Sequence, residues 1–168
     1  MACADDVEAF IALGANLGDG AATLRAAADA IGTLPLTRVA ARSSLYRSAP
    51  QLASGPDYWN AVVLVRTAQS PDALLDALLR IETAMGRERP VGERNAPRTL
   101  DLDLLLYGTL QRKTARLTLP HPRLTQRAFV LTPLAEVWPE GTLDGIAVGA
   151  LAAQRIAEGQ RIDKLGGL

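Results

Sequence analysis

Asp101 and Asp103 stand two residues apart in the run Pro97-Arg98-Thr99-Leu100-Asp101-Leu102-Asp103-Leu104-Leu105-Leu106-Tyr107, with Arg98 three residues ahead of the first aspartate. Read as a strand, this run places both carboxylates on one side of the pleat, about 7 Å apart, because side chains alternate between the two faces. Ionised carboxylates in so apolar a run are costly unless a cation or a set of arginines neutralises them. Magnesium is usually held by one or two protein carboxylates, with waters and phosphate oxygens completing its octahedron, so the pair suits a two-metal phosphate site. The plainer alternative is a strand whose polar face meets solvent.

The charge distribution favours the first reading. The formal net charge is zero, yet residues 80–127 carry five more basic than acidic side chains, most of them arginines. Arginine forks match phosphate oxygens, so an arginine excess around two fixed carboxylates points to a polyanion-plus-metal site. A solvated basic face is the alternative. Glu82 falls in the last turns of a predicted helix, where the macrodipole disfavours an acid slightly, and a surface ion pair is its simplest role. His121, the single histidine, is flanked by Pro120 and Pro122, which restrict its backbone. Its neighbours Arg123 and Arg127 favour phosphate contact over a purely structural role.

Tyr58, Trp59, Asn60 and Phe129 supply most of the chemistry suited to a flat heterocycle. On a strand, Tyr58 and Asn60 share a face while Trp59 turns into the core. Aromatic rings enclosing a ligand whose polar edge an amide reads make a sound binding plan, although a strand with aromatics is also only that. Residues 14–18, Gly-Ala-Asn-Leu-Gly, look superficially like a phosphate cradle but lack its lysine, and a tight turn near the site is the expectation. No nucleotide-binding glycine loop and no zinc pattern occurs.

The elements that position these residues follow from pattern. Residues 7–13 read as a buried strand and 21–34 as a helix with Asp19 as cap. Residues 36–46 read as one long strand and 48–57 as loop. Residues 58–67 form a third strand rich in β-branched and aromatic side chains. Ser70-Pro71-Asp72 starts a helix whose stripe of Leu74, Leu75, Leu78, Ile81 and Met85 ends at Gly86. The aspartate-bearing strand completes the order βαββαβ. That order predicts an α+β, ferredoxin-like core, with a mostly antiparallel sheet and both helices on one face. Beyond Gly108 the expectations are an extended segment over 118–122, a short helix within 125–137 interrupted near Pro133, and a helix over 148–157.

At 168 residues, with 48% hydrophobic, the chain is expected to form one domain over 1–168 with a substantial core. One cysteine, Cys3, excludes an intramolecular disulfide and fits a reducing compartment. Acids near the start and no long apolar run argue against a secretory signal and a membrane helix, so a cytoplasmic protein is expected.

Residues 94–105, Arg-Asn-Ala-Pro-Arg-Thr-Leu-Asp-Leu-Asp-Leu-Leu, resemble the signature of the 6-hydroxymethyl-7,8-dihydropterin pyrophosphokinase family of folate biosynthesis. Residues 12–19, 44–48, 57–61, 80–82 and 119–123 are similar to further family motifs in the same order. The likeness spans about residues 9–138, leaving 141–168 as a C-terminal extension. It implies transfer of the β,γ-pyrophosphoryl group of ATP to the pterin's hydroxymethyl oxygen, with release of AMP. Asp101 and Asp103 would then hold two magnesium ions. Arg87, Arg89, Arg98, His121 and Arg127 would contact the phosphates, with Arg87 and Arg98 closest to the chemistry and Glu82 a supporting acid at the ATP site. Asn60 would read the pterin edge, Tyr58 and Phe129 would enclose its ring, and the Ser48-Ala49-Pro50 backbone would lie nearby. Asn95 departs from the family pattern, where a tryptophan is common.

Two other classes of function compete. A ferredoxin-like sheet can bind RNA, but seven aromatics and zero net charge argue against nucleic acid as a partner. A pterin- or nucleotide-binding paralogue with weak or lost turnover is the closer alternative. Magnesium-dependent AMP release distinguishes it from the enzyme.

Overall fold

The computed structural model describes residues 6–16, 19–49, 57–85 and 100–168. Along the chain run β1 (Val7–Ala15), α1 (Gly20–Gly32), β2 (Thr37–Arg42), β3 (Ser44–Ser48), β4 (Tyr58–Thr67), α2 (Pro71–Ala84) and β5 (Asp101–Tyr107). A small hairpin, β6 (Arg112–Lys113) and β7 (Thr118–Leu119), precedes α3 (Ala128–Val137). A second hairpin, β8 (Thr142–Leu143) and β9 (Ile146–Ala147), leads to α4 (Val148–Ala157) and β10 (Ile162–Gly167).

The main sheet has the order β10-β3-β4-β1-β5, with β2 also paired to β4, and every pairing is antiparallel. The first five strands thus keep the ferredoxin-like order read from the sequence. The segment expected as one long strand divides at Ser43. There the Ser43 hydroxyl accepts the Val62 N–H at 2.9 Å while the Ser43 N–H donates to the Val62 carbonyl, so the chain bends without losing pairing.

Two apolar cores lie on opposite faces of the sheet. Leu24, Ala27, Ala28 and Ile31 of α1 and Leu74, Leu78 and Ile81 of α2 pack on Ile11, Leu13, Ala61, Val63, Leu102 and Leu104. Both helices start where the sequence places them. Asp19 accepts the Ala22 N–H at 3.1 Å and Ser70 accepts the Ala73 N–H at 3.1 Å, each satisfying a donor of the first turn. The other face is covered by α3 and α4, through Val130, Leu131, Leu134, Val148 and Leu151 on Phe10, Ala12 and Val62. The expectation that both core helices share one face therefore holds, and α3 and α4 cover the other.

Pro133 does not interrupt α3. The loss of one helical hydrogen bond is outweighed by burial of Leu131, Leu134 and Val137 between the sheet and α4. Glu136 fastens this helix to β3 by accepting from the Tyr46 hydroxyl, from the Ser44 N–H at 3.1 Å and from the Ser44 hydroxyl at 2.9 Å. Burial, and then the Glu136 carboxylate, push the Tyr46 hydroxyl well above its ordinary pKa. The helix expected over 148–157 is α4, whereas β10 carries no strand signal and is revealed by the structure alone.

Candidate active site

The geometry begins in the register of the sheet. Asp101 lies opposite Gly14, Gly14 opposite Asn60 and Asn60 opposite Tyr46, so these four form one row across β5, β1, β4 and β3. Asp103 lies opposite Ala12 in the next row on the same face. Both aspartates are half-buried, while Leu102 and Leu104 between and after them enter the core beneath α1 and α2. A register shift at Leu105 then turns both Leu105 and Leu106 toward the α3 core. The bulge closes the apolar floor just beyond the two carboxylates.

Glu82 is not a surface ion pair. It is 1% exposed, and its Oε2 accepts the Leu102 N–H at 2.8 Å, so a buried carboxylate grips the backbone between Asp101 and Asp103. This placement follows from tertiary packing, which an acid's position near a helix end does not disclose.

His121 and Arg127 come to the carboxylates from the segment between β7 and α3, with Arg123 beside them. The His121 N–H donates to the Leu105 carbonyl at 2.9 Å, docking this segment on β5. The imidazole is pushed below its ordinary pKa by burial first, then by Arg127 and Arg123, with Asp101 opposing. This favours the neutral imidazole, and with Nδ1 accepting the Arg123 N–H at 3.2 Å, Nε2 is the nitrogen left to donate. Arg127 feels burial and Arg123 pushing its pKa down, and Asp103 and Asp101 pulling it up. Its guanidinium stands 5.4 Å from the centre of the Phe129 ring, a cation–π arrangement.

At the other end of the row, the Asn60 amide is 4% exposed and its orientation is fixed. Nδ2 donates to the Ser48 hydroxyl at 2.7 Å and to the Tyr58 carbonyl at 3.2 Å, which turns Oδ1 toward Gly14. Among the described residues, a Cβ on Gly14 would meet only Asn60 Oδ1 at 3.8 Å and the Trp59 carbonyl at 3.9 Å, which leaves the floor between amide and carboxylate open on their side. Asp101 and Asn60 are two strand spacings apart, about 10 Å. Tyr58 is exposed on this face, Ala49 is exposed beside Ser48, and Trp59 turns to the α1 side as expected. Ser48 itself is buried, so its side chain serves Asn60.

The structure thus brings together Asp101, Asp103, His121 and Arg127, and separately Ser48, Tyr58 and Asn60, on one face. Arg87, Arg89, Arg98 and Pro50 lie outside the described residues, as do Asn95 and Gly86. Two other members of the basic stretch belong elsewhere. Arg112 pairs with Asp72 at 2.8 Å and Arg116 with Asp76, both on α2. Sequence reasoning missed Gly14 as the open floor and Glu82 as the grip on the strand. It also missed Asn16, a buried residue just past β1 whose Oδ1 has no partner among the described residues.

As a donor set, two half-buried carboxylates on one strand face suit a hard cation that completes its shell with water and phosphate oxygens. Among the described residues no cluster of three or more His, Cys, Asp or Glu side chains capable of enclosing a metal occurs. No helix among them is long and apolar enough to cross a membrane.

Known proteins resemble this chain over most of its length. The protein is 42% identical over 141 residues, 83% of its length and 88% of the relative's, to the 2-amino-4-hydroxy-6-hydroxymethyldihydropteridine pyrophosphokinase of Methylorubrum extorquens. The Pseudomonas aeruginosa protein of the same name is 43% identical over 160 residues, 94% of this chain and 96% of that one, so likeness continues past residue 139. Among solved structures, Plasmodium falciparum HPPK-DHPS superposes with a TM-score of 0.70 at 14% identity, over 91% of this chain and 46% of that longer one, which shows a shared fold. Residues 10–139 match the model of the 7,8-dihydro-6-hydroxymethylpterin-pyrophosphokinase (HPPK) family, to which this chain belongs.

Proposed function

We propose that the protein transfers the β,γ-pyrophosphoryl group of ATP to the hydroxymethyl oxygen of 6-hydroxymethyl-7,8-dihydropterin, releasing AMP, as a step of folate biosynthesis. A bond forms between that oxygen and the β-phosphorus. The bond from the β-phosphorus to the oxygen bridging it to the α-phosphorus breaks, and the hydroxyl proton is released. Such a transfer needs alignment and charge neutralisation more than covalent help from the protein.

The observation that carries this reading is the row Asp101, Gly14, Asn60, with Asp103 beside it and His121 and Arg127 facing the aspartates. In our assignment Asn60 Oδ1 accepts hydrogen bonds from the pterin's N–H edge, because Nδ2 is engaged by Ser48 and Tyr58. Tyr58 and Phe129 flank the ring, and the backbone of Ser48, Ala49 and Pro50 borders it. The open floor at Gly14 lets the flat heterocycle lie between the amide and the carboxylates. Asp101 and Asp103 would hold two magnesium ions, which would neutralise and orient the triphosphate. Neutral His121 donates from Nε2 to a phosphate oxygen, and Arg127, with Arg87, Arg89 and Arg98, adds fixed positive charge. Glu82 acts by holding Leu102, and through it the spacing of the two aspartates.

Residues 1–168 are assigned to one pyrophosphokinase domain, since α4 and β10 pack on the same sheet as the family-matched region. A cytoplasmic location goes with this substrate pair. The test is AMP release from ATP and the hydroxymethylpterin with magnesium and with the metal chelated. We expect turnover only with magnesium, and a loss of at least about a hundredfold in Asp101→Asn and Asp103→Asn at unchanged melting temperature. Binding of both substrates without AMP release would identify a paralogue that has lost turnover.

A further inference from the structure

Arg127 enters the candidate site from the start of α3, where its carbonyl accepts the Leu131 N–H at 2.9 Å but its side chain caps nothing. It is the N-cap of α3, where a serine or aspartate would accept an N–H of the first turn. Arginine has no acceptor, and no side-chain cap is made. A different donor of the first turn, the N–H of Ala128 at its first position, is satisfied from 32 residues downstream. The Ala128 N–H donates to Gln160 Oε1 at 2.7 Å, and Gln160 Nε2 donates to the Gln126 carbonyl at 2.8 Å. One side-chain amide therefore grips the backbone on both sides of Arg127.

The position of Gln160 is itself fixed by how α4 ends. The Gly159 N–H donates to the Ile156 carbonyl at 3.0 Å and the Gln160 N–H to the Arg155 carbonyl at 3.2 Å, the paired bonds of a Schellman ending. Gly159 has φ +106°, which a side chain would resist, and the turn it makes sends Gln160 back toward the start of α3. Arg155 adds a third tie, from Nε to the Thr125 carbonyl at 2.9 Å.

We propose that Gln160 is a positioning residue for ATP: its amide clip holds the backbone around Arg127 so that the guanidinium stands over Phe129 and beside Asp101 and Asp103. The site's identity rests on the function proposed above. Only a residue carrying a donor and an acceptor on one terminal group can make both bonds. Glutamate would set a carboxylate oxygen against the Gln126 carbonyl, and alanine would leave both backbone groups without this partner.

The test compares wild type, Gln160→Ala, Gln160→Glu, Arg127→Ala and the double variant Arg127→Ala/Gln160→Ala. Affinity for magnesium-loaded α,β-methylene-ATP is measured by calorimetry, the KM for each substrate by AMP release, and folding by melting temperature. We expect Gln160→Ala and Gln160→Glu to weaken nucleotide affinity and raise the ATP KM by about tenfold. The pterin KM should change by less than about twofold. In the Arg127→Ala background, Gln160→Ala should have no further effect on nucleotide affinity. An amide that merely ties α4 to α3 would lower the melting temperature and leave nucleotide affinity intact, or act equally with Arg127 absent, and either result overturns the proposal. Wild-type protein that binds the analogue but releases no AMP refutes the proposed function while the affinity cycle still judges the clip. Wild-type protein that binds no analogue refutes both.

Discussion

A carboxylate that touches no solvent must be held by something, and Glu82 is held by the strand it supports. Its Oε2 accepts the Leu102 N–H, the group between the two aspartates, from the edge of β5 that faces away from β1. Glu82→Ala removes this acceptor and opens a void in a closed core. We expect a stability loss of ~1–3 kcal/mol from the unpaired N–H, read as a lower urea midpoint. The AMP-release rate should fall with it, because the strand bearing Asp101 and Asp103 loses its lateral support. A variant with lower stability and an unchanged rate in native buffer would show that Glu82 serves the core alone. The sequence exposes the aspartate pair plainly, since alternation on a strand is a local rule. It cannot expose Glu82 in the same way, because burial of a charged residue is set by which strand packs beside its helix.

Elements with local signals were the legible ones. Ser70-Pro71 at the start of α2, Asp19 before α1 and the β-branched run of β4 announce themselves through caps and composition, and the structure keeps each. The bend at Ser43 and the uninterrupted α3 were hidden, because one depends on a hydroxyl bonding to Val62 of another strand and the other on burial that offsets a proline. Gly20 belongs with these hidden cases. Its lack of a side chain admits Trp59, since a Cβ there would lie 1.7 Å from Trp59 Cδ1. Gly20→Ala must displace the indole, and we expect a destabilisation of about 1–3 kcal/mol from overpacking. Trp59 sits between Tyr58 and Asn60 on β4, so the pterin KM should rise more than the ATP KM. Thermal melts and paired KM measurements check both parts. A wild-type melting temperature would mean that the indole has room to move.

On the scale of the whole molecule, the C-terminal third does more than extend a ferredoxin-like core. It supplies α3, α4 and β10, which cover the second face of the sheet and close its β3 edge. Its sequence gave little warning of β10, because Ile-Asp-Lys-Leu-Gly-Gly has two glycines and no alternation, and its order comes from pairing with β3. That pairing sets Ile162 opposite Ser48, the residue that orients Asn60, while the Arg25 guanidinium reaches the Gly167 carbonyl at 3.3 Å and Leu168 packs on the first core. In the proposed assignment the clip at Gln160 holds the phosphate side, and the strand just after it holds the pterin side. Ending the chain after Gln160 should therefore separate the two. The truncated protein should keep its nucleotide affinity, because α4 and the Gln160 amide are retained, and should show a raised pterin KM as β3 loses its outer neighbour. It should also self-associate more readily, since β3 becomes an uncovered edge. Calorimetry with magnesium-loaded α,β-methylene-ATP, pterin KM values and light scattering test these outcomes together. Equal loss of both substrates would mean that the C-terminal segment supports the sheet as a whole and not its two ends separately.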